Sequence, residues 1–135
     1  MTRIPQNVRE QVRKRARGRC EYCLLPEQFS YQPHQIDHIR SIKHGGSDAI
    51  DNLAWACADC NNAKGTDVGA FDDVTETYVR FFNPRIHTWD EHFEVIEGVI
   101  TGKTPIGRVT VQLFQLNRGE QVETRLALIE AGLWD

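Results

Sequence analysis

The sequence predicts an α+β chain, and three observations carry that reading. Residues 35–39 and 53–56 read as short strands on either side of a glycine-containing loop, followed by a segment that stops at Lys64-Gly65, so the stretch reads as strand, loop, strand, helix. Two Cys-x-x-Cys pairs, Cys20/Cys23 and Cys57/Cys60, bracket that stretch. Helix signals stand at both ends of the chain, with Pro5 and Gly18 in front and Thr104-Pro105 behind.

The 135 residues suit one domain, 1–135, with a core over 20–66 and an extension over 67–135. No apolar run is long enough to cross a membrane, and the first residues lack the apolar stretch of a secretory signal. The expected compartment is therefore the cytoplasm. The net charge is −3, yet residues 1–19 hold seven arginines and lysines against Glu10 alone. That segment is thus +6, and the rest of the chain is −9. A local field of this kind meets phosphates even when the summed charge is negative. The acidic remainder argues against broad electrostatic coating of nucleic acid.

Residues 5–17 read as the first helix. Val8, Val12 and Ala16 recur at four-residue spacing and form a narrow apolar stripe. Arg9, Arg13, Lys14 and Arg17 lie off the stripe. They form either a solvated face or a phosphate-contacting one, and the single sign of the charge favours the second. Residues 40–51 form a loop with Gly45-Gly46 and Ser47-Asp48 as turn residues. Asp59 starts a short helix that runs to Lys64 and stops at Gly65. Farther on, 77–82 reads as a strand ended by Asn83-Pro84, and 92–96 with 99–101 as a hairpin around Glu97-Gly98. Thr104 caps a helix with Pro105 at its first position. Asn117 caps a last helix whose inner face holds Val122, Leu126 and Ile129, with Gly132 near its end.

The four cysteines leave no odd thiol. In a reducing compartment such pairing favours a zinc ion over disulfides. Four thiolates make a closed tetrahedral site with no open position for chemistry, so Cys20, Cys23, Cys57 and Cys60 are structural ligands that clamp the first knuckle onto the strand-loop-strand unit. Asp37 and the amide oxygen of Asn61 are hard donors suited to Mg2+ or Mn2+. His38 is a base whose ordinary pKa lies near neutrality. On a regular strand Asp37 and His38 point to opposite faces, so their convergence needs a bend or a substrate lying across the strand edge.

The tract Ile36-Asp37-His38-Ile39, Gly45-Gly46, Asn52-Leu53 and Cys57-Ala58-Asp59-Cys60-Asn61-Asn62-Ala63-Lys64-Gly65 resembles the HNH endonuclease family, in its four-cysteine variant with Asn at the last signature position. The resemblance covers roughly residues 20–66 and implies a ββα-metal core clamped by zinc. It implies His38 as general base, Asp37 and Asn61 as ligands of a catalytic Mg2+ or Mn2+, and Asn52 as the residue that orients the histidine and steadies the loop. It implies hydrolysis of phosphodiester bonds, most naturally of double-stranded DNA, leaving 5′-phosphate and 3′-hydroxyl ends. The chain departs from the family where a proline often follows two residues after Ile39, since Ser41 and Ile42 stand there. Phe82-Asn83-Pro84-Arg85, Trp89, His92-Phe93 and Gly102 to Arg108 look like the tail of a bacterial HNH subgroup.

Arg9, Arg13 and Arg17 on the first helix, with Arg40, Lys43 and Lys64 near the site, are candidate contacts to the nucleic-acid backbone; a solvated surface position is the alternative for each. His34, His87 and His92 read as structural or exposed, and Trp55 as core. One rival is a non-catalytic zinc module that binds nucleic acid or protein, which needs the cysteines but not Asp37, His38, Asn52 and Asn61 together. Another is an enzyme acting on RNA or on branched DNA.

Overall fold

The computed structural model describes residues 4–134. Arg3, counted in the basic N-terminal segment, lies outside them. The chain is a mixed α/β structure whose strands pair as three two-stranded antiparallel sheets among the described residues. The described residues form two compact units. The first holds the residues up to Val68 together with Asn83–His87, and the second holds Gly69–Phe82 and the residues from Thr88 onward.

In the first unit, helix α1 spans Gln6–Arg15, with Pro5 at its N-cap and Ala16 at its C-cap. It ends before residue 17 because Arg17 and Gly18 both take left-handed φ angles, 57° and 69°, which a right-handed helix does not accept. The apolar stripe does what its spacing implies. Val12 is fully buried against Leu53 and Trp55, and Val8 and Ala16 flank the cluster with Ile4 and Ile36.

Strand β1 (Gln35–His38) pairs antiparallel with β2 (Leu53–Ala56), so that Ile36 faces Trp55 and His38 faces Leu53 across the ladder. Every residue of β2 is buried, which is why its sequence is uniformly apolar rather than alternating. The connecting loop contains two 3-10 turns, Ile42–His44 and Ile50–Asn52. Between them Gly45 sits at φ 83°, and a Cβ on Gly46 would lie 1.7 Å from the Arg40 carbonyl oxygen. Both positions therefore require glycine. Helix α2 spans Ala58–Lys64. Its cap is the Cys57 thiol, which accepts from the Cys60 N–H, rather than Asp59 as the sequence suggests.

In the second unit, β3 (Gly69–Asp72) pairs with β4 (Thr77–Arg80), a hairpin whose first strand the sequence reading leaves unassigned. Strand β4 stops at Arg80 because Phe81 and Phe82 turn into the core, where Phe81 meets Phe114 edge-on at 5.0 Å and Phe82 meets Phe93 at 5.3 Å. A short helix α3 (Trp89–His92) leads into the hairpin β5 (Phe93–Ile96) and β6 (Val99–Gly102) around Glu97-Gly98. Helix α4 (Pro105–Phe114) is capped by the Thr104 side chain, as its sequence indicates. Helix α5 (Gly119–Glu130) is capped at Arg118, not Asn117. The Asn117 amide instead bonds both the N–H and the C=O of Ile100. The inner face of α5 also differs from the expected one: Arg125 and Leu128 are buried and Ile129 is exposed. Arg125 donates to the carbonyls of Gly98 and Leu116, which explains how a charged side chain lies inside.

Candidate functional site

The four cysteine sulfurs are buried and lie within 4.8 Å of one another. Sulfurs about 2.3 Å from a tetrahedral zinc stand roughly 3.8 Å apart, and Cys23 and Cys57 are already at 3.7 Å. Backbone N–H groups of Cys23 and Cys60 point at the sulfurs of Cys20 and Cys57. Burial alone raises the Cys20 thiol, but hydrogen bonds from Cys23, Cys57 and Cys60 outweigh it and hold Cys20 well below the ordinary thiol range. Sharing those bonds with Cys20 pushes Cys23 and Cys60 up. The donor set and its geometry fit zinc. The first knuckle is tied to the strands by the Glu21 N–H, which donates to the Trp55 carbonyl at 2.8 Å.

Strand β1 presents Gln35 and Asp37 to helix α2. The Asn61 amide donates to Gln35 Oε1 at 2.6 Å. Asp37 is 3% exposed; its Oδ2 accepts from the Tyr22 hydroxyl at 2.6 Å, and its Oδ1 stands 3.2 Å from the Lys64 ammonium. Lys64 is itself 2% exposed and also donates to the His38 carbonyl at 2.8 Å. The surface lysine expected at the end of α2 is therefore an internal one. The buried carboxylate draws it in, because an unpaired charge there would be costly. Burial pushes the Asp37 carboxyl above its ordinary range, and Lys64 and Tyr22 oppose that shift. A divalent ion in front of Asp37 does not fit this arrangement, since both carboxylate oxygens are engaged and an ammonium already holds the position.

His38 leaves β1 on the opposite side from Asp37, as the regular pairing requires, and no hydrogen bond joins the two side chains. The strand does not bend to bring them together. The imidazole is 22% exposed, and its Nε2 is 2.7 Å from Oδ1 of Asp48. Asn52 hydrogen-bonds the loop backbone and not the imidazole. Its Oδ1 accepts from the Arg40 N–H, and its Nδ2 donates to the carbonyls of Arg40 and Ser47. It laces the two ends of the loop together, and the loop carries Asp48 to the histidine.

The basic candidates separate by environment. Arg9 lies over the Trp55 ring at 5.8 Å, and Arg13 grips both oxygens of Glu27 at 2.9 and 3.0 Å. Arg40 is exposed, with its Nε bonded to the His44 carbonyl. Arg17 and Lys43 are exposed. Among the other histidines, His34 is buried with Nε2 at 2.9 Å from the Leu25 carbonyl, and Nδ1 of His87 accepts from the Asn83 N–H.

Three residues of the site escape the sequence reading. Gln35 was within reach, because it lies two residues before Asp37 and so on the same face of a strand. Tyr22 carries no mark beyond its place inside a Cys-x-x-Cys. Asp48 reads as a turn residue, and only the closed loop brings it to His38.

Residues 20–67 match the family model described as HNH endonuclease, the family the sequence resembles. The match spans both cysteine pairs, β1, β2 and α2. No curated protein and no solved structure matches the chain.

Proposed function

We propose that the chain, through the HNH segment at 20–67, is an endonuclease that hydrolyses phosphodiester bonds of DNA. The observation that carries this reading is a partly exposed histidine, His38, at the end of β1 in the segment that matches the family. The segment's strand, strand, helix order is then a ββα-metal core held by zinc at Cys20, Cys23, Cys57 and Cys60. His38 takes a proton from water, the resulting hydroxide attacks phosphorus, and the 3′-oxygen departs. The products carry 5′-phosphate and 3′-hydroxyl ends. Asn52 keeps the loop closed beside the imidazole. Arg17 and Lys43, exposed and basic, hold the nucleic-acid backbone. The Mg2+ or Mn2+ expected at Asp37 and Asn61 would require Lys64 to leave Asp37 first.

The Asp37–Lys64 pair favours a second reading, a non-catalytic zinc module that binds nucleic acid or protein, because a nuclease carboxylate tied to an ammonium is not open to an ion. Cleavage of supercoiled plasmid, with and without Mg2+ or Mn2+, decides between them. Nicked or linear product from the wild type, lost by about 10²–10⁴ in rate in His38→Ala, supports the enzyme. DNA binding without cleavage under any divalent ion supports the module.

A further inference from the structure

We propose that Asp48 is the positioning residue for His38, and that Nδ1 is the ring atom that takes the proton from water. The inference rests on the nuclease reading above. The two side chains are ten positions apart and come from different elements, yet Nε2 and Oδ1 are 2.7 Å apart. Several constraints hold that contact. Asn52 fixes the Ser47 carbonyl, one residue before Asp48, and the Ser47 hydroxyl accepts from the Ala49 N–H, one residue after it. The tight turn at Gly45 and Gly46 leaves no room for a side chain at the second glycine. Asp48 is thus presented by a laced loop rather than by a free one.

An ionised carboxylate only accepts hydrogen bonds. The hydrogen between the two groups is therefore on Nε2. A neutral imidazole carries one N–H, so the lone pair lies on Nδ1. In the reaction Nδ1 takes a proton from water, the water oxygen forms a bond to phosphorus, and the bond to the 3′-oxygen breaks. That oxygen takes a proton from solvent, and the imidazolium later returns its own. Throughout, the Asp48 carboxylate holds the ring by Nε2–H and faces the positive charge as it forms. The residue acts through His38 and does not touch the substrate.

The test compares wild type, Asp48→Asn, Asp48→Glu, His38→Ala and the double variant His38→Ala/Asp48→Asn. Nitrogen NMR of the imidazoles, well above the ordinary imidazole pKa, shows His38 of the wild type protonated at Nε2 alone. Asp48→Asn shifts it towards a mixture of tautomers, and Asp48→Glu returns part of the wild-type pattern. In plasmid cleavage Asp48→Asn lowers kcat ~10-fold or more with little change in KM for DNA. In the His38→Ala background the same change adds no further loss, because the two residues act as one unit. Zinc content and melting temperature of Asp48→Asn match the wild type, which separates positioning from folding. Wild-type kcat in Asp48→Asn, an additive loss in the double variant, or an unchanged nitrogen pattern overturns the proposal. A wild type that cleaves nothing removes the nuclease reading and the catalytic role with it. That case is recognised because the NMR signature and its loss in Asp48→Asn remain.

Discussion

The Tyr22 hydroxyl donates to the Asp37 carboxylate across 2.6 Å, with both groups buried. Tyr22 sits between Cys20 and Cys23, so the knuckle that closes the cysteine site also holds the carboxylate of β1. Burial and the neighbouring Asp37 push the tyrosine well above its ordinary range, so it stays a donor. Tyr22→Phe should leave one oxygen of Asp37 without a partner and destabilise the first unit by about 1–3 kcal/mol in urea titrations. Zinc content should not change. An unaltered midpoint would mean that the bond adds nothing to stability.

The cysteine cluster should hold about one zinc per chain. Cys57→Ser, or treatment with a strong chelator, should lower the melting temperature sharply, because the ion's binding energy is part of the folding energy. Metal analysis that finds no zinc in folded, reduced protein contradicts this.

Lys64→Met keeps the aliphatic stem and removes the ammonium, leaving Asp37 a buried charge with only Tyr22 beside it. The expected loss is about 3–5 kcal/mol. Asp37→Asn in the same chain should recover part of it. If Mn2+ stabilises Lys64→Met but not the wild type, the ion takes the place that the ammonium holds. Equal responses would place the ion elsewhere.

Charge reversal at Arg17 and Lys43 should weaken DNA binding and make its salt dependence less steep, by about one unit of slope for each lost phosphate contact. Arg13→Glu should act differently. It removes the Nε–H shared by both Glu27 oxygens and puts two carboxylates together, so it should lower the melting temperature. Filter binding across a salt series, alongside melting curves, separates the two effects.

Asp72, in the second unit, accepts two bonds from Arg108 at 2.9 Å and two from Thr75. Chiefly through the Arg108 hydrogen bonds, its carboxyl is held well below the usual range. A depressed carboxylate contributes stability that is present above its unfolded pKa, about 3.9, and is lost as pH falls below that value. Asp72→Asn should therefore melt lower than the wild type at neutral pH, and the two melting temperatures should converge in acid. Parallel curves across that range would mean that the pair does not matter to folding.

Much of the frame was legible in the sequence because it is written in neighbouring residues. Two Cys-x-x-Cys pairs form one cluster since each pair needs only a local turn to aim two sulfurs. The strand-loop-strand order of 35–38 and 53–56 follows from two short strand-like segments and the turn residues between them. Thr104-Pro105 caps α4 through atoms three residues apart. The charge carried by Arg9, Arg13 and Lys64 was equally legible, but not what the charge does. The tertiary structure alone turned Lys64 inward to Asp37 and laid Arg9 on Trp55, whereas the bonds of Asn52 to Arg40 and Ser47 match the loop-steadying role that the family resemblance implies. It also brought Asp48 to His38. Apart from the Asn52–Ser47 bond, these contacts join groups 10 to 46 positions apart. A buried carboxylate selects whichever cation can reach it, and a laced loop selects which side chain meets the ring. Spacing along the chain encodes local geometry; desolvation and loop closure arise only once distant segments have met.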